Sequence, residues 1–320
     1  MSYPVMPIPF KPPRLVGLSE GLLASHYENN YGGALRRLIA IEEKLSSVPL
    51  ENTPTYDLNG LGRERLIAAN SVILHEVYFD CLGSADGIGG PTVDPTGPLA
   101  DAIARDFGSF ENWKTEFTAM GRALGGGLGW VSLVWSSRFE RLSNQWSADY
   151  THALAGGIPI LALDMYEHAY HMDFSSNADA YVEAFMNNLH WDRPTKRFMD
   201  AIGISGESGL TEDNEVSVEE LQRMMASGNA PLLLDICLDE DMAKRSDKIS
   251  NARTLAPQNI EIWIEDLPKD QPMIGYCVYG YQVSGNAVGE MQRRGLNAKR
   301  LKGGIAAWHA MGGATEPLAK

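Results

Sequence analysis

Asp164 and His168 stand four residues apart at the end of an apolar run, Ile158-Pro159-Ile160-Leu161-Ala162-Leu163. Such a run predicts a buried strand, and a carboxylate at its end needs a partner that tolerates burial. A metal ion is one. A carboxylate oxygen beside an imidazole nitrogen suits manganese, iron or zinc better than calcium or magnesium. Taken alone, the Asp164 carboxylate serves equally well as the cap of a following helix, so the metal reading depends on further ligands. Two histidines stand upstream in predicted helices: His26 on an early turn of the first, and His75 beside the apolar stripe of the second.

These side chains need a scaffold. Leu18, Leu22, Leu35, Leu38, Ile41 and Leu45 recur at helical spacing from Gly17 to about Leu45, weakened or bent at Asn29-Asn30-Tyr31-Gly32-Gly33. Leu66, Ile73, Leu74, Val77 and Tyr78 predict a second helix from about Gly62 to Leu82, followed by a Gly/Pro-rich loop, Gly83 to Gly97. Shorter helices are expected over Leu99–Phe107 and Phe110–Leu124, then strands at Trp130–Trp135, Phe139–Leu142 and Ile158–Leu163, and a helix from Asp179 to Trp191. Helices around a three-stranded antiparallel sheet, read as a meander, make an α+β domain over residues 1–202. A small-residue, acidic linker spans 203–216. Beyond it, a helix from Val218, strands at Leu232–Asp235 and Met273–Tyr276, and a helix over Val288–Arg294 alternate as in a small α/β domain with a parallel sheet, 217–320.

Composition narrows the functions. The 320 residues exceed one typical domain, and a formal charge of −14 argues against nucleic acid or an anionic membrane as partner. No apolar run is long enough to span a membrane, and the proline-rich start (Pro4, Pro7, Pro9, Pro12, Pro13) lacks a secretory apolar core. Cys81, Cys237 and Cys277 are odd in number and widely spaced, which disfavours a disulfide framework, so a cytoplasmic protein is expected.

A second constellation surrounds Cys277. Tyr276-Cys277-Val278-Tyr279-Gly280-Tyr281-Gln282-Val283-Ser284 follows a predicted buried strand and precedes a helix starting near Gly285. Backbone N–H groups and a helix N-terminus at such a turn favour a thiolate and cradle an anion.

His26, His75, Asp164 and His168 together resemble the four metal ligands of the iron/manganese superoxide dismutase family. Further matches follow in order: Arg105-Asp106-Phe107-Gly108-Ser109, Gly127-Leu128-Gly129-Trp130, Asp164 through Glu167-His168-Ala169-Tyr170, and Trp191-Asp192 with Arg197-Phe198. The resemblance implies one iron or manganese ion per subunit and the disproportionation of superoxide to dioxygen and hydrogen peroxide. It also implies a donor tuning the ion through Gln145, an anion-steering Arg197, and a homodimer in which Glu167 meets the partner's ligand histidine. The family's usual His and Tyr of the proton-delivery gate are Asn30 and Ala34 here, and two of its Trp positions hold Phe79 and Tyr166. Tyr31, three residues from Ala34, is the candidate substitute at the gate. These departures imply impaired proton transfer more than lost metal, leaving a metal-binding or redox-sensing scaffold with weak dismutase activity as the alternative.

The Cys277 loop, Leu233-Leu234-Asp235 and Gly303-Gly304-Ile305-Ala306-Ala307-Trp308 resemble a rhodanese domain. That resemblance implies a persulfide on Cys277 and a small sulfur donor, and a third reading of the chain as a sulfurtransferase. Gln282 and Val283 stand where the family usually offers an Arg or Lys.

Overall fold

The computed structural model describes residues 3–83, 94–203, 214–228 and 230–318. Most of the expected loop at 83–97 and of the linker at 203–216 lies outside the described residues. The chain divides into two compact units, one of Pro9–Ser208 and one of Met1–Ile8 with Gly209–Lys320. The proline-rich start thus belongs with the C-terminal unit, where the Val5 N–H donates to Glu219 Oε1 at 2.9 Å. The sequence reading had put residues 1–202 together, because a proline-rich arm carries no periodicity that would reveal its partner.

In the larger unit, helix α1 (Glu20–Ser25) starts at Ser19, whose hydroxyl oxygen accepts from Leu22 N–H at 3.1 Å. His26–Tyr31 then winds as a π-helical turn before α2 (Gly32–Ser47). This is the bend the Asn and Gly patch predicts: these residues favour the regular helix least, and burial of His26, Tyr27 and Tyr31 compensates the wider turn. Helix α3 (Thr55–Asp80) begins earlier than expected, since Gly60 and Gly62 dilute the pattern without ending the helix. Its stripe of Ala68, Ser71, Val72, His75, Tyr78 and Phe79 faces inward. Helices α4 (Pro98–Phe107) and α5 (Phe110–Ala123) follow as predicted.

The sheet consists of β1 (Trp130–Ser136), β2 (Arg141–Ser147) and β3 (Gly157–Asp164), antiparallel in the order β2-β1-β3. It is therefore not a meander. Every residue of β1 is buried, so it takes the centre, whereas the polar β2 suits an edge. The second strand also lies later than predicted: Phe139 is 65% exposed, in the turn before β2. Trp130 is opposite Ser147 on one side and Asp164 on the other. Gly129 sets this up, for its φ of 138° belongs to glycine and its carbonyl accepts from Met165 N–H at 2.9 Å. After a short 3-10 turn (Glu167–Ala169) come α6 (His171–Phe174), α7 (Ala178–Asn187) and α8 (Asp192–Ala201). The helix predicted to run to Trp191 stops at Asn187 because the chain turns to let Leu189 bridge Leu82, and α8 was missed for its weak apolar content.

The second unit comprises β4 (Glu215–Val216), α9 (Val218–Ala226), β5 (Leu232–Asp235), α10 (Asp239–Met242), β6 (Asp247–Ile249), β7 (Arg253–Thr254) and α11 (Ile260–Trp263). It continues through β8 (Met273–Tyr276), α12 (Gln282–Arg293), β9 (Ala298–Leu301), α13 (Gly304–Ala310) and β10 (Thr315–Pro317). Five parallel strands run β4-β9-β8-β5-β7, and β6 pairs antiparallel with β10. Leu234, Ile236, Trp263, Met273, Val288 and Met291 share one core. Helix α12 starts at Gln282 rather than Val288, as Gly285 and Gly289 hide its first turns from a periodicity reading.

Asn188 is the buried polar joint of the larger unit. Its amide donates to Val16 O and Ala184 O, both at 2.7 Å, and its side-chain oxygen accepts from Val16 N–H at 2.9 Å. Asn188→Ala strands these backbone groups and is expected to destabilise this unit by about 1–3 kcal/mol, read as a lowered first transition in thermal melting of the full chain.

Candidate metal centre

The four residues drawn from distant parts of the sequence converge. His26 opens the π-helical turn after α1, His75 lies in the inward stripe of α3, Asp164 closes β3, and His168 is carried by the 3-10 turn after it. Nε2 of His26 and of His168 are each 3.1 Å from Asp164 Oδ2, and His75 Nε2 is 3.6 Å away. One donor atom from each residue lies within 4.8 Å of every other, an arrangement that can hold an ion. His26, His75 and Asp164 are sealed from solvent, while the His168 side chain is 26% exposed and marks the open side.

The electrostatics suit a cation. Burial holds His75 neutral, its pKa lowered to about 3, with the facing His26 adding to the effect, and burial lowers His26 as well. Burial alone would raise the Asp164 carboxyl, but the His168 and His26 imidazoles outweigh it and keep the group ionised. His75 Nδ1–H donates to the Ser71 carbonyl at 2.7 Å, which leaves Nε2 as the lone-pair nitrogen, and that buried atom has no hydrogen-bond partner. An orphaned imidazole nitrogen beside a buried carboxylate is the signature of a donor set that fits a metal. The carboxylate is oriented by Tyr166 N–H, which donates to Oδ1 at 2.9 Å, and its backbone carbonyl by the Tyr181 hydroxyl at 2.8 Å.

Aromatic rings wall the cluster. Tyr78 and Phe79 pack on His26 with centroids 4.9 and 5.0 Å away, and Trp130 meets His75 edge-on at 5.2 Å. Tyr166 stacks on His168 at 5.4 Å, and Tyr150, which the sequence reading missed, stacks on Tyr166 at 5.2 Å and on His75 at 6.3 Å. A lone tyrosine in a turn carries no signal in the sequence; only the register of β2 against β1 brings it here.

Three of the expected residues lie away from this cluster. Gln145 is held within its own hairpin: Nε2 donates to Ser147 Oγ at 3.1 Å and His152 O at 3.2 Å, and Oε1 accepts from Leu154 N–H at 3.0 Å. A short β2–β3 connection leaves it knitting that turn. Tyr31 is fully buried beyond Phe79, its hydroxyl donating to Glu76 Oε1 at 3.0 Å, so it is neither a surface residue nor beside the ligands. Arg197 is pinned to Asp80 and to the Ile160 carbonyl, which anchors α8 and withdraws its charge from anion steering. Asn30 and Ala34 are half-buried, and Glu167 is exposed on the turn that carries His168.

In the other unit Cys277 follows β8 and is buried, with Sγ 3.2 Å from Ser284 Oγ at the start of α12. Gly280 turns the loop at φ 72°, close against the backbone N–H groups of Gly303 and Gly304. Cys237, at the end of neighbouring β5, lies against Arg245, whose Nη1 is 2.8 Å from Sγ. All three cysteines are unpaired and buried.

With fold and site described, the chain is recognisable as a member of the iron/manganese superoxide dismutase family that also carries a rhodanese-like domain. Residues 95–197 match the model of the C-terminal domain of iron/manganese superoxide dismutases, and 217–311 match the rhodanese-like domain. A superoxide dismutase [Fe] of Cupriavidus metallidurans is 57% identical over 202 residues, which span 63% of this chain and 99% of that protein. Superoxide dismutase [Mn] 1 of Halobacterium salinarum is 35% identical over 62% of this chain and 96% of its own length. A superoxide dismutase [Fe] of Methanothermobacter marburgensis is 31% identical over 57% and 89% respectively.

Asp164→Ala removes the only anion of the donor set. Iron plus manganese in the purified full-length chain is expected to fall by roughly tenfold or more against wild type, measured by elemental mass spectrometry.

Proposed function

We propose that the chain is a superoxide dismutase, with His26, His75, Asp164 and His168 holding one iron or manganese ion per subunit. The observation that carries this reading is the convergence of three imidazoles and one ionised carboxylate around a buried, unpartnered Nε2. A bound iron or manganese ion supplies the one-electron couple by which one superoxide is oxidised to dioxygen and a second, with two protons, is reduced to hydrogen peroxide. Two dismutases that differ in their named metal, [Fe] and [Mn], are both similar to this chain, so either ion suits the donors.

The protein's own part is to hold, orient and seal. Asp164 lowers the charge a trivalent ion presents, and its own orientation is fixed by Tyr166 N–H. Tyr78, Phe79 and Trp130 exclude water from three sides, so a small anion enters past His168 and Tyr166. With Arg197 engaged by Asp80 and a chain charge of −14, attraction of superoxide rests on the ion's local charge. Glu167, exposed next to His168, is placed to meet a second copy, and we assign it to a homodimer contact. Three unpaired thiols suit a reducing compartment, which favours the cytoplasm, and among the described residues no helix is long and apolar enough to cross a membrane.

Sulfur transfer by Cys277 is a second reading, favoured by its place between β8 and the first turn of α12. A small anionic sulfur donor would meet backbone N–H groups there, the loop having no Arg or Lys of its own.

The metal-loaded full chain is expected to accelerate superoxide loss well above the spontaneous rate in a stopped-flow assay, and His75→Ala to lose that acceleration. Loaded wild-type protein with no acceleration would favour a scaffold. Tyr31→Phe is expected to keep turnover within about twofold, because the hydroxyl it deletes is spent on Glu76. Thiosulfate-dependent sulfur transfer that disappears in Cys277→Ser would establish the second activity, and its absence in wild type would remove it.

A further inference from the structure

The loop that carries Cys277 is gripped by a turn that the N-terminal arm also touches. The Cys277 carbonyl accepts from Ile305 N–H and the Val278 carbonyl from Ala306 N–H, both at 3.0 Å, while Ser284 Oγ of α12 lies 3.2 Å from Sγ. Between loop and turn there is no room for a side chain: a Cβ on Gly304 would stand 2.2 Å from the Cys277 carbonyl oxygen and 2.6 Å from Gly280 N. At 6% exposure, Cys277 meets a reagent chiefly through local opening of its loop. The turn has a backing of its own. Pro7 packs on Gly303, its Cβ 3.1 Å from where a Gly303 side-chain carbon would stand. Pro7 lies between two anchors: Val5, whose N–H donates to Glu219 Oε1 at 2.9 Å, and the buried Ile8. Strand pairing brings the first anchor to the turn. Glu215 and Val216 of β4 are opposite Arg300 and Leu301 of β9, and Lys302 N–H donates to the Val216 carbonyl at 3.0 Å, so the first turn of α9, with Glu219, begins beside Gly303.

We propose that the N-terminal arm is a positioning brace for the Cys277 loop: Pro7, tethered by the hydrogen bond from Val5 to Glu219, backs the Gly303-Gly304 turn and so keeps the thiol covered. The arm lies outside residues 217–311, which match the rhodanese-like domain, so the brace is a part this chain supplies to that unit from elsewhere in its sequence. What the thiol does once reached rests on the sulfur-transfer reading; how readily it is reached does not. Pro4 and Pro7 stiffen the undocked arm, so little chain entropy is lost when it docks. Undocking frees the turn to shift and the loop with it, which exposes Sγ without unfolding the sheet.

The test is alkylation of the native, full-length chain with iodoacetamide, the rate at each cysteine read by peptide mass spectrometry. Glu219→Ala removes the acceptor, and Val5→Pro the donor, of the same hydrogen bond. In either variant Cys277 is expected to react about tenfold faster than in wild type, because loss of one hydrogen bond to a carboxylate makes the local opening easier by that factor. The double variant is expected to react no faster than either single one, since both delete one bond. Glu219→Gln keeps an acceptor oxygen and is expected to stay within about threefold of wild type. Cys237, buried in the same unit just after β5, and Cys81, buried in the other, are expected to keep their wild-type rates. A Cys277 rate unchanged in both single variants would overturn the brace. So would Cys237 accelerating as much as Cys277, which would show the whole unit loosening. Thiosulfate-dependent sulfur transfer absent from wild type would remove the sulfur-transfer reading and leave the alkylation result standing.

Discussion

A single buried carboxylate imposes most of the order in the larger unit. Asp164 is sealed from water at the end of a strand, and an ionised group in that position is sustainable only if positive or hydrogen-bonding partners surround it. Three imidazoles from two helices and a turn meet that need, and each must arrive with its nitrogen facing the same oxygen. The α1 to α2 bend, the inward stripe of α3 and the turn after β3 are the means by which the backbone delivers them. Remove the charge and nothing in the apolar packing alone would ask for this convergence.

Much of this was legible beforehand because the relevant signals are local. Asp164 and His168 could be picked out by residue type and context, His26 and His75 by the family resemblance, and the π-helical turn at His26–Tyr31 falls where Asn-Asn and Gly-Gly weaken the helical preference. The parallel sheet of the second unit was visible in its alternating strands and helices, although β4, β7 and β9 are too short or too polar to register.

The residues outside the donor set were harder, and for a common reason. Where Gln145, Tyr31 and Arg197 point is decided by pairing partners far away in the chain: Leu154 and His152 for the first, Glu76 for the second, Asp80 for the third. A residue's type says what it can donate, and only tertiary register says to whom. The same holds for strand order, since the exchange of β1 and β2 follows from relative burial rather than from either strand's propensity. Tyr150 was invisible for the converse reason: nothing about its neighbours in sequence distinguishes it, yet Trp130 and the hairpin register carry it to the cluster.

The placement of the first residues has a consequence for biosynthesis. Because Val5 bonds Glu219, and Pro7 packs near Gly303, the unit that includes the last hundred residues also needs the first few. On the ribosome the opening segment emerges long before its neighbours exist, while Pro9–Ser208 has all of its chain available for folding. The later unit closes only after the residues beyond the linker have been made, by recovering a peptide synthesised before Pro9–Ser208. Expressing residues from the linker onward would therefore yield a body without the Val5 and Pro7 contacts of its own unit.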